Sequence, residues 1–280
     1  MYFKKAKKWW TKTVKKVVSQ VSTHKDRGGD KDFLPAYMDA LVKYNDATRK
    51  YHGWPTDHDC DATLFAGLAK GSGASVNLDL AKDPKTKAWN RRPLSPHGPC
   101  NVNGVDCGSK STISNDQILG IAYGSVSEPS RAKEIAEYAR RHKMIMGSPR
   151  SRLGEVFLKP YMYSLLQRVA NEPTKYPVIF TGNSKDYVTH LTAIAIHTYG
   201  RVHGKIEGHH LEMLRKLRRD DRQNPTFEAL VQRYTDGNYA RAVGLLTSGY
   251  VPSYIRGNKN YPLVYRLFTW AIITGQERPR

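Results

Sequence analysis

The chain has 280 residues and carries 45 Lys and Arg against 25 Asp and Glu, a formal net charge of +20. A hydrophobic share of 39%, with 17 Tyr, 7 Phe and 5 Trp, can fill a sizeable core and excludes an intrinsically disordered chain. The charge selects polyanions as partners without choosing among nucleic acid, anionic lipid and acidic polysaccharide.

The opening MYFKKAKKWWTKTVKKVVSQV places Phe3, Ala6, Trp10, Val14, Val17 and Val21 at helical spacing, with lysines opposite. It has neither the continuous apolar segment nor the small-residue cleavage site of a secretory signal. Two readings stand. It is a basic amphipathic helix that lies on a membrane surface, a nucleic acid or an acidic protein assembly through residues 1–24, or a packed terminal helix with a solvated lysine face. STHKDRGGDKD follows as a hydrophilic hinge, so residues 1–31 form an arm and residues 32–280 the body.

From Phe33 onward helical patterns dominate. DFLPAYMDALVKYNDATRKY predicts a helix with Leu34, Met38, Leu41 and Val42 on one apolar face. In DCDATLFAGLAKG, Asp59 is a candidate N-cap and Gly71 a stop signal. Residues 72–113 are a long irregular stretch, of the kind that is functional or disordered in compact domains. The expectation is an ordered loop cap anchored by Trp89. Helical patterns resume at SNDQILGIAYGSV, SRAKEIAEYARRH, EVFLKPYMYSLLQRVA, SKDYVTHLTAIAIHTYGRVHG, KIEGHHLEMLRKLRR, NPTFEALVQRYTDG, NYARAVGLLTSG and YPLVYRLFTWAIITG. Only YPVIF at 176–180 has strand character. The reading is all-α, about ten helices joined by short turns. No apolar run approaches the ~20 residues that span a bilayer.

Chemistry concentrates where two of these helices begin. Ser114 followed three residues later by Gln117 is a capping box, so a helix starts at Asn115 and Asp116 falls in its first turn. A carboxylate there stabilises the helix start through the exposed N–H groups; equally, a rigid element aims it for chemistry. The loop before it carries Cys100, Cys107, Lys110, Ser111 and Thr112, and KAWNRRPLSPHGP upstream adds Trp89, Arg91, Arg92 and His97. Aromatic faces stack on pyranose rings and Arg forks bind carboxylates. A second cluster, GWPTDHDCDATLFAG, crowds Asp57, Asp59 and Asp61 around His58, with Trp54 upstream as a sugar platform or a packing residue. Crowded carboxylates favour one that keeps its proton, as a general acid must.

DCDATLFAGL early and SKSTISNDQILGIAYG later, set among paired helices, resemble the (α/α)-toroid glycoside hydrolases and polysaccharide lyases. The resemblance covers residues 33–275 and implies helical hairpins in a ring with active-site loops at one end. It implies Asp61 as general acid, Asp116 as partner carboxylate, Arg91, Arg92 and His97 as substrate contacts, and Trp89 and Tyr123 as stacking platforms. A lyase would instead use a base such as Tyr123 or His97. The chain is short for a full six-hairpin toroid, so a toroid-like binding protein without catalysis also fits.

Other motifs add little chemistry. Cys100 and Cys107 can bridge locally, leaving Cys60 over, and their spacing is not a zinc signature. His190 and His197 share one helix face, and His197 is expected as a hydrogen-bonded core residue. His190 and His210 remain candidates for a groove, without the spacing of a metal site. LRKLRRDDRQ is read as a solvated helix end. No P-loop, GxGxxG, nucleophile elbow or DNA-reading motif occurs, so no cofactor and no specific nucleic-acid readout are expected. Three functions follow: a glycosidase or lyase on an acidic polysaccharide, carried on a phage virion; a non-enzymatic virion component, tail or internal, whose basic arm docks on an acidic partner or DNA; and a nucleic-acid-associated protein, for which the sequence has the charge and no reading head.

Overall fold

The computed structural model describes residues 29–55, 61–93, 101–102, 105–106, 113–146, 156–174, 187–252, 255 and 260–277. The proposed arm helix, His58, Cys60, His97, Cys100, Cys107 and YPVIF lie outside them. Ten α-helices occur among the described residues: α1 Leu34–Thr48, α2 Ala62–Gly71, α3 Asn115–Gly124, α4 Pro129–Arg141, α5 Pro160–Val169, α6 Tyr187–His203, α7 Gly208–Asp220, α8 Pro225–Arg233, α9 Ala240–Thr247 and α10 Tyr261–Thr274. Among the described residues the fold is all-α apart from two isolated bridges and one two-residue antiparallel ladder, in which β1 (Asn101–Val102) pairs with β2 (Val105–Asp106). No helix among the described residues is long and apolar enough to cross a membrane.

Most helix bounds follow from local signals. α3 begins at Asn115 behind its capping box, and α2 ends at Gly71. The pattern read from residue 155 yields a helix only from Pro160, because proline has no N–H to give an earlier turn and a fixed φ suited to a first turn. α2, α3 and α10 are buried nearly all round, the composition of helices with no solvent face. α4 and α7 bury a single stripe each: Ala132, Ile135, Ala136 and Ala139 on one, His210, Leu211, Leu214 and Leu217 on the other.

On α1 the face is rotated from expectation. Tyr37, Ala40 and Tyr44 are buried, whereas Leu34, Met38 and Val42 stand 36%, 47% and 53% exposed. Burying tyrosine removes more apolar surface, provided the hydroxyl finds a partner. Both do: Tyr37 donates to the Ser72 carbonyl (3.0 Å) and Tyr44 to that of Gly53 (2.6 Å). The body also begins earlier than expected. The Asp30 N–H donates to the Ile273 carbonyl at 2.6 Å, so residues 29–31 pack on the end of α10 instead of forming a hinge.

Helices α2, α3, α5, α6, α8 and α10 pack each on the next, and α10 returns to α2. They run parallel. Gly67 sits against Gly120, Gly71 against Tyr123, Phe65 stacks on Tyr261, and His190 and His197 lie along Tyr265 and Phe268. Their N-termini therefore share one end of the body.

The α2–α3 contact is backbone on backbone. A Cβ on Gly67 would fall 2.0 Å from the Gly120 carbonyl oxygen, and one on Gly120 would fall 2.4 Å from that of Leu64. Only glycine permits that approach. Gly67→Ala should destabilise the fold by about 3 kcal/mol or more, since backbone must move. Gly244→Ala on α9, where a Cβ meets nothing within 4 Å, should stabilise by roughly 0.5–1 kcal/mol through helix propensity. Denaturant titration of both variants tests the pair; a Gly67→Ala protein of wild-type stability would contradict the contact.

Candidate functional site

At the shared N-terminal end, two helix starts are tied together. The Ser114 N–H donates to Gln117 Oε1 (2.9 Å), the return half of the capping box. The other end of the same amide reaches across to α2: Gln117 Nε2 donates to Asp61 Oδ1 at 2.8 Å. The Ser114 hydroxyl donates to the Asp116 carboxylate. A line of polar groups thus joins Asp61, Gln117, Ser114 and Asp116.

The segment around Trp89 sets the other side of Asp61. The Thr63 N–H donates to the Arg91 carbonyl (2.9 Å) and the Thr63 hydroxyl to that of Asn90 (2.8 Å), so residues 90–91 lie on the first turn of α2. This brings the Arg91 guanidinium to 3.6 Å from Asp61 Oδ1, with both side chains partly exposed, 16% and 22%. A cation and an amide donor together favour the ionised carboxylate.

Asn115 adds a third strut. Its amide donates to the Phe157 carbonyl and accepts from the Lys159 N–H, both at 3.1 Å, which fixes the approach to α5. Tyr161, in the first turn of α5, lies near Asp116. Burial, and then the Asp116 charge, push its phenol above the ordinary value, so it stays protonated at neutral pH. Gln117 and Tyr161 are the residues that sequence reasoning missed. The cap motif pointed to Gln117, but nothing local shows that its second group spans to another helix.

Several expected site residues are elsewhere. Trp89 is 1% exposed and Tyr123 is fully buried, so neither has a face open to a sugar. Their apolar area is worth more inside: Trp89 anchors its loop in the core, as expected of it, and Tyr123 belongs to the opposite end. Trp54 is likewise buried, donating to the Asn77 carbonyl at 2.9 Å, and is a packing residue. Arg92 is buried and already engaged within the body, leaving Arg91 as the cation beside Asp61. His190 is buried, and burial lowers its pKa to about 3, so it is neutral at physiological pH. His210, also buried, accepts from the Glu207 N–H at the start of α7. Neither lines a groove. No three His, Cys, Asp or Glu side chains gather into a metal site among the described residues.

The opposite end holds a buried ionic knot. Glu277 Oε1 accepts from the Tyr123 hydroxyl and contacts His197 Nε2, both at 2.6 Å. Arg201 Nε stands 3.5 Å from Oε1 and an Arg233 nitrogen 3.7 Å from Oε2. His197 Nδ1 pairs with the Tyr234 hydroxyl at 2.8 Å, which makes His197 the hydrogen-bonded core residue expected. Burial alone would raise the Glu277 pKa. Attraction to His197, Arg201 and Arg233 outweighs it and holds the carboxyl far below the usual carboxylate range. The Tyr123 phenol is pushed up, first by burial and then by Glu277. Each of these residues has a partner inside the protein, which marks a structural bolt joining α3, α6, α8 and the segment after α10.

Comparison with protein-family models, curated proteins and solved structures found no match to this chain.

The knot makes a signed prediction. Because the folded pKa of Glu277 is depressed, its stabilisation is complete above the ordinary glutamate range, ~4.3, and is lost as pH falls toward the folded value. Glu277→Gln leaves buried cations without their counter-charge and should cost ~3–5 kcal/mol at pH 7. Urea unfolding of both proteins from pH 7 to pH 3 should show that gap narrowing in acid; a gap constant with pH would contradict the assignment.

Proposed function

We propose that the chain is a carbohydrate-active enzyme, a glycoside hydrolase or polysaccharide lyase acting on an acidic polysaccharide where α2 and α3 begin. One observation carries the reading: the Gln117 side chain ties Asp61 to the helix start that holds Asp116. Two carboxylates are thereby fixed by rigid elements at one end of a set of parallel buried helices. The circuit from α2 through α10 and back is what a toroid-like arrangement requires, and supports the reading further.

The chemistry divides between them. Hydrolysis of a glycosidic bond needs one ionised and one proton-donating carboxyl. Gln117 and Arg91 favour the charge on Asp61, which moves it from the expected general acid to the base or nucleophile. Asp116 is then the partner carboxyl, and Tyr161 a neutral proton donor beside it. A carboxyl separation of ~5 Å goes with retention and ~6.5–9.5 Å with inversion. Arg91 is the cation for a sugar carboxylate.

Asp61→Asn and Asp116→Asn keep shape and should each leave stability within ~1 kcal/mol, because the groups are near the surface. Turnover on a panel of uronate-containing polysaccharides should fall by ~100-fold or more. Reducing-end release scores hydrolysis and absorbance of the unsaturated product scores lysis. No activity in the wild type, or full activity in both variants, overturns the reading.

The charge of +20 favours a second reading: a non-enzymatic virion component, tail or internal, whose basic segment docks on an acidic partner or DNA. Deleting residues 1–24 should then weaken retention on DNA-cellulose, with a steep salt dependence, and leave the melting temperature of the body unchanged. Equal retention without the segment overturns that reading.

A further inference from the structure

Between the end of α7, the start of α8 and the start of α9 lies a concavity of about 350 Å³ lined by Arg218, Arg219, Arg222, Glu228 and Arg241. Volumes of this size suit small ligands. The cations come from two stretches of chain, residues 218–222 and Arg241, so tertiary packing completes the cluster. Glu228 is their floor, its side chain only 4% exposed. It accepts from Gln232 Nε2 (3.0 Å) and pairs with Arg218 (3.4 Å) and Arg241 (3.3 Å). Arg241 also donates to the Arg222 carbonyl at 3.3 Å. The carboxylate therefore positions two guanidinium groups and is used up in doing so.

Arg219 and Arg222 make no ion pair among the described residues. Asp221 is turned to Tyr250 and Asn224 instead. Four guanidinium groups against one carboxylate leave a surplus of three positive charges in one hollow. Mutual repulsion makes such a cluster costly unless an anion completes it. Guanidinium forks match the paired oxygens of phosphate, and several of them suit a multiply charged group better than a single carboxylate.

We propose that this concavity is an oxyanion site for a diphosphate group, either free or carried on a nucleotide. It stands apart from the carboxylates at the start of α2 and α3, and depends on neither reading of the function. Arg219 and Arg222 supply the uncommitted charge, and Arg218 and Arg241, held by Glu228, supply fixed donors.

Calorimetric titration at low salt, with pyrophosphate, ADP and sulfate as separate probes, tests it on the full chain. The wild type should bind pyrophosphate, and Arg219→Ala/Arg222→Ala should weaken that binding at least tenfold at an unchanged melting temperature. Lys133→Ala/Arg141→Ala, which removes the same charge from exposed positions on α4, should stay within twofold of the wild type. ADP binding more tightly than pyrophosphate supports a nucleotide as the source, and equal or weaker binding supports the free anion. Absence of pyrophosphate binding, equal loss in the α4 variant, or sulfate binding as tightly as pyrophosphate would overturn the proposal.

Discussion

Everything in this body depends on how closely two helices approach. Gly67, Gly71, Gly120 and Gly124 line the α2–α3 contact, and side chains larger than hydrogen would hold the axes apart. The closeness has consequences at both ends. At the N-termini it lets one glutamine amide span from its own helix cap to Asp61. Toward the C-termini it seats Tyr123 over Gly71 and directs its hydroxyl to Glu277. A loosened contact would disturb the carboxylate pair and the ionic knot together.

The two ends spend polar groups differently. At the C-terminal end every member of the knot has a partner inside the protein, as a buried charge must. Such a network specifies one packing of α3, α6 and α8. At the N-terminal end Asp61 and Arg91 remain partly exposed, and their geometry is set by backbone contacts from residues 90–91. Partial exposure on rigid supports is what a working site needs.

The positive charge is also organised beyond its total. Many cations are balanced locally, as Lys70 is by Glu128 and Arg131 by Asp79 and Glu128. The hollow around Glu228 departs from this, since one carboxylate there faces four guanidinium groups. In sequence, LRKLRRDDRQ reads as an ordinary solvated helix end, because Arg241, which with Glu228 converts it into a concave cluster, lies on a later helix.

The sequence by itself determined the helical class, nearly every helix and where α2 stops and α3 starts, because these depend on hydrophobic period, proline, glycine and capping residues a few positions apart. It also pointed to His197 as a satisfied core residue and to Trp89 as a loop anchor. It misplaced the buried face of α1, since Tyr37 and Tyr44 are buried only because carbonyls of Ser72 and Gly53 wait for their hydroxyls. It offered Tyr123 to a sugar because an aromatic ring near a motif has no local mark of burial. Only the tertiary structure decided that Gln117 reaches Asp61, that Glu277 closes a knot with His197 and Arg201, and that Arg241 joins Glu228 and the Arg222 carbonyl. Each of those pairings is a contact between residues far apart in sequence, and its energy exists only once the intervening helices have packed.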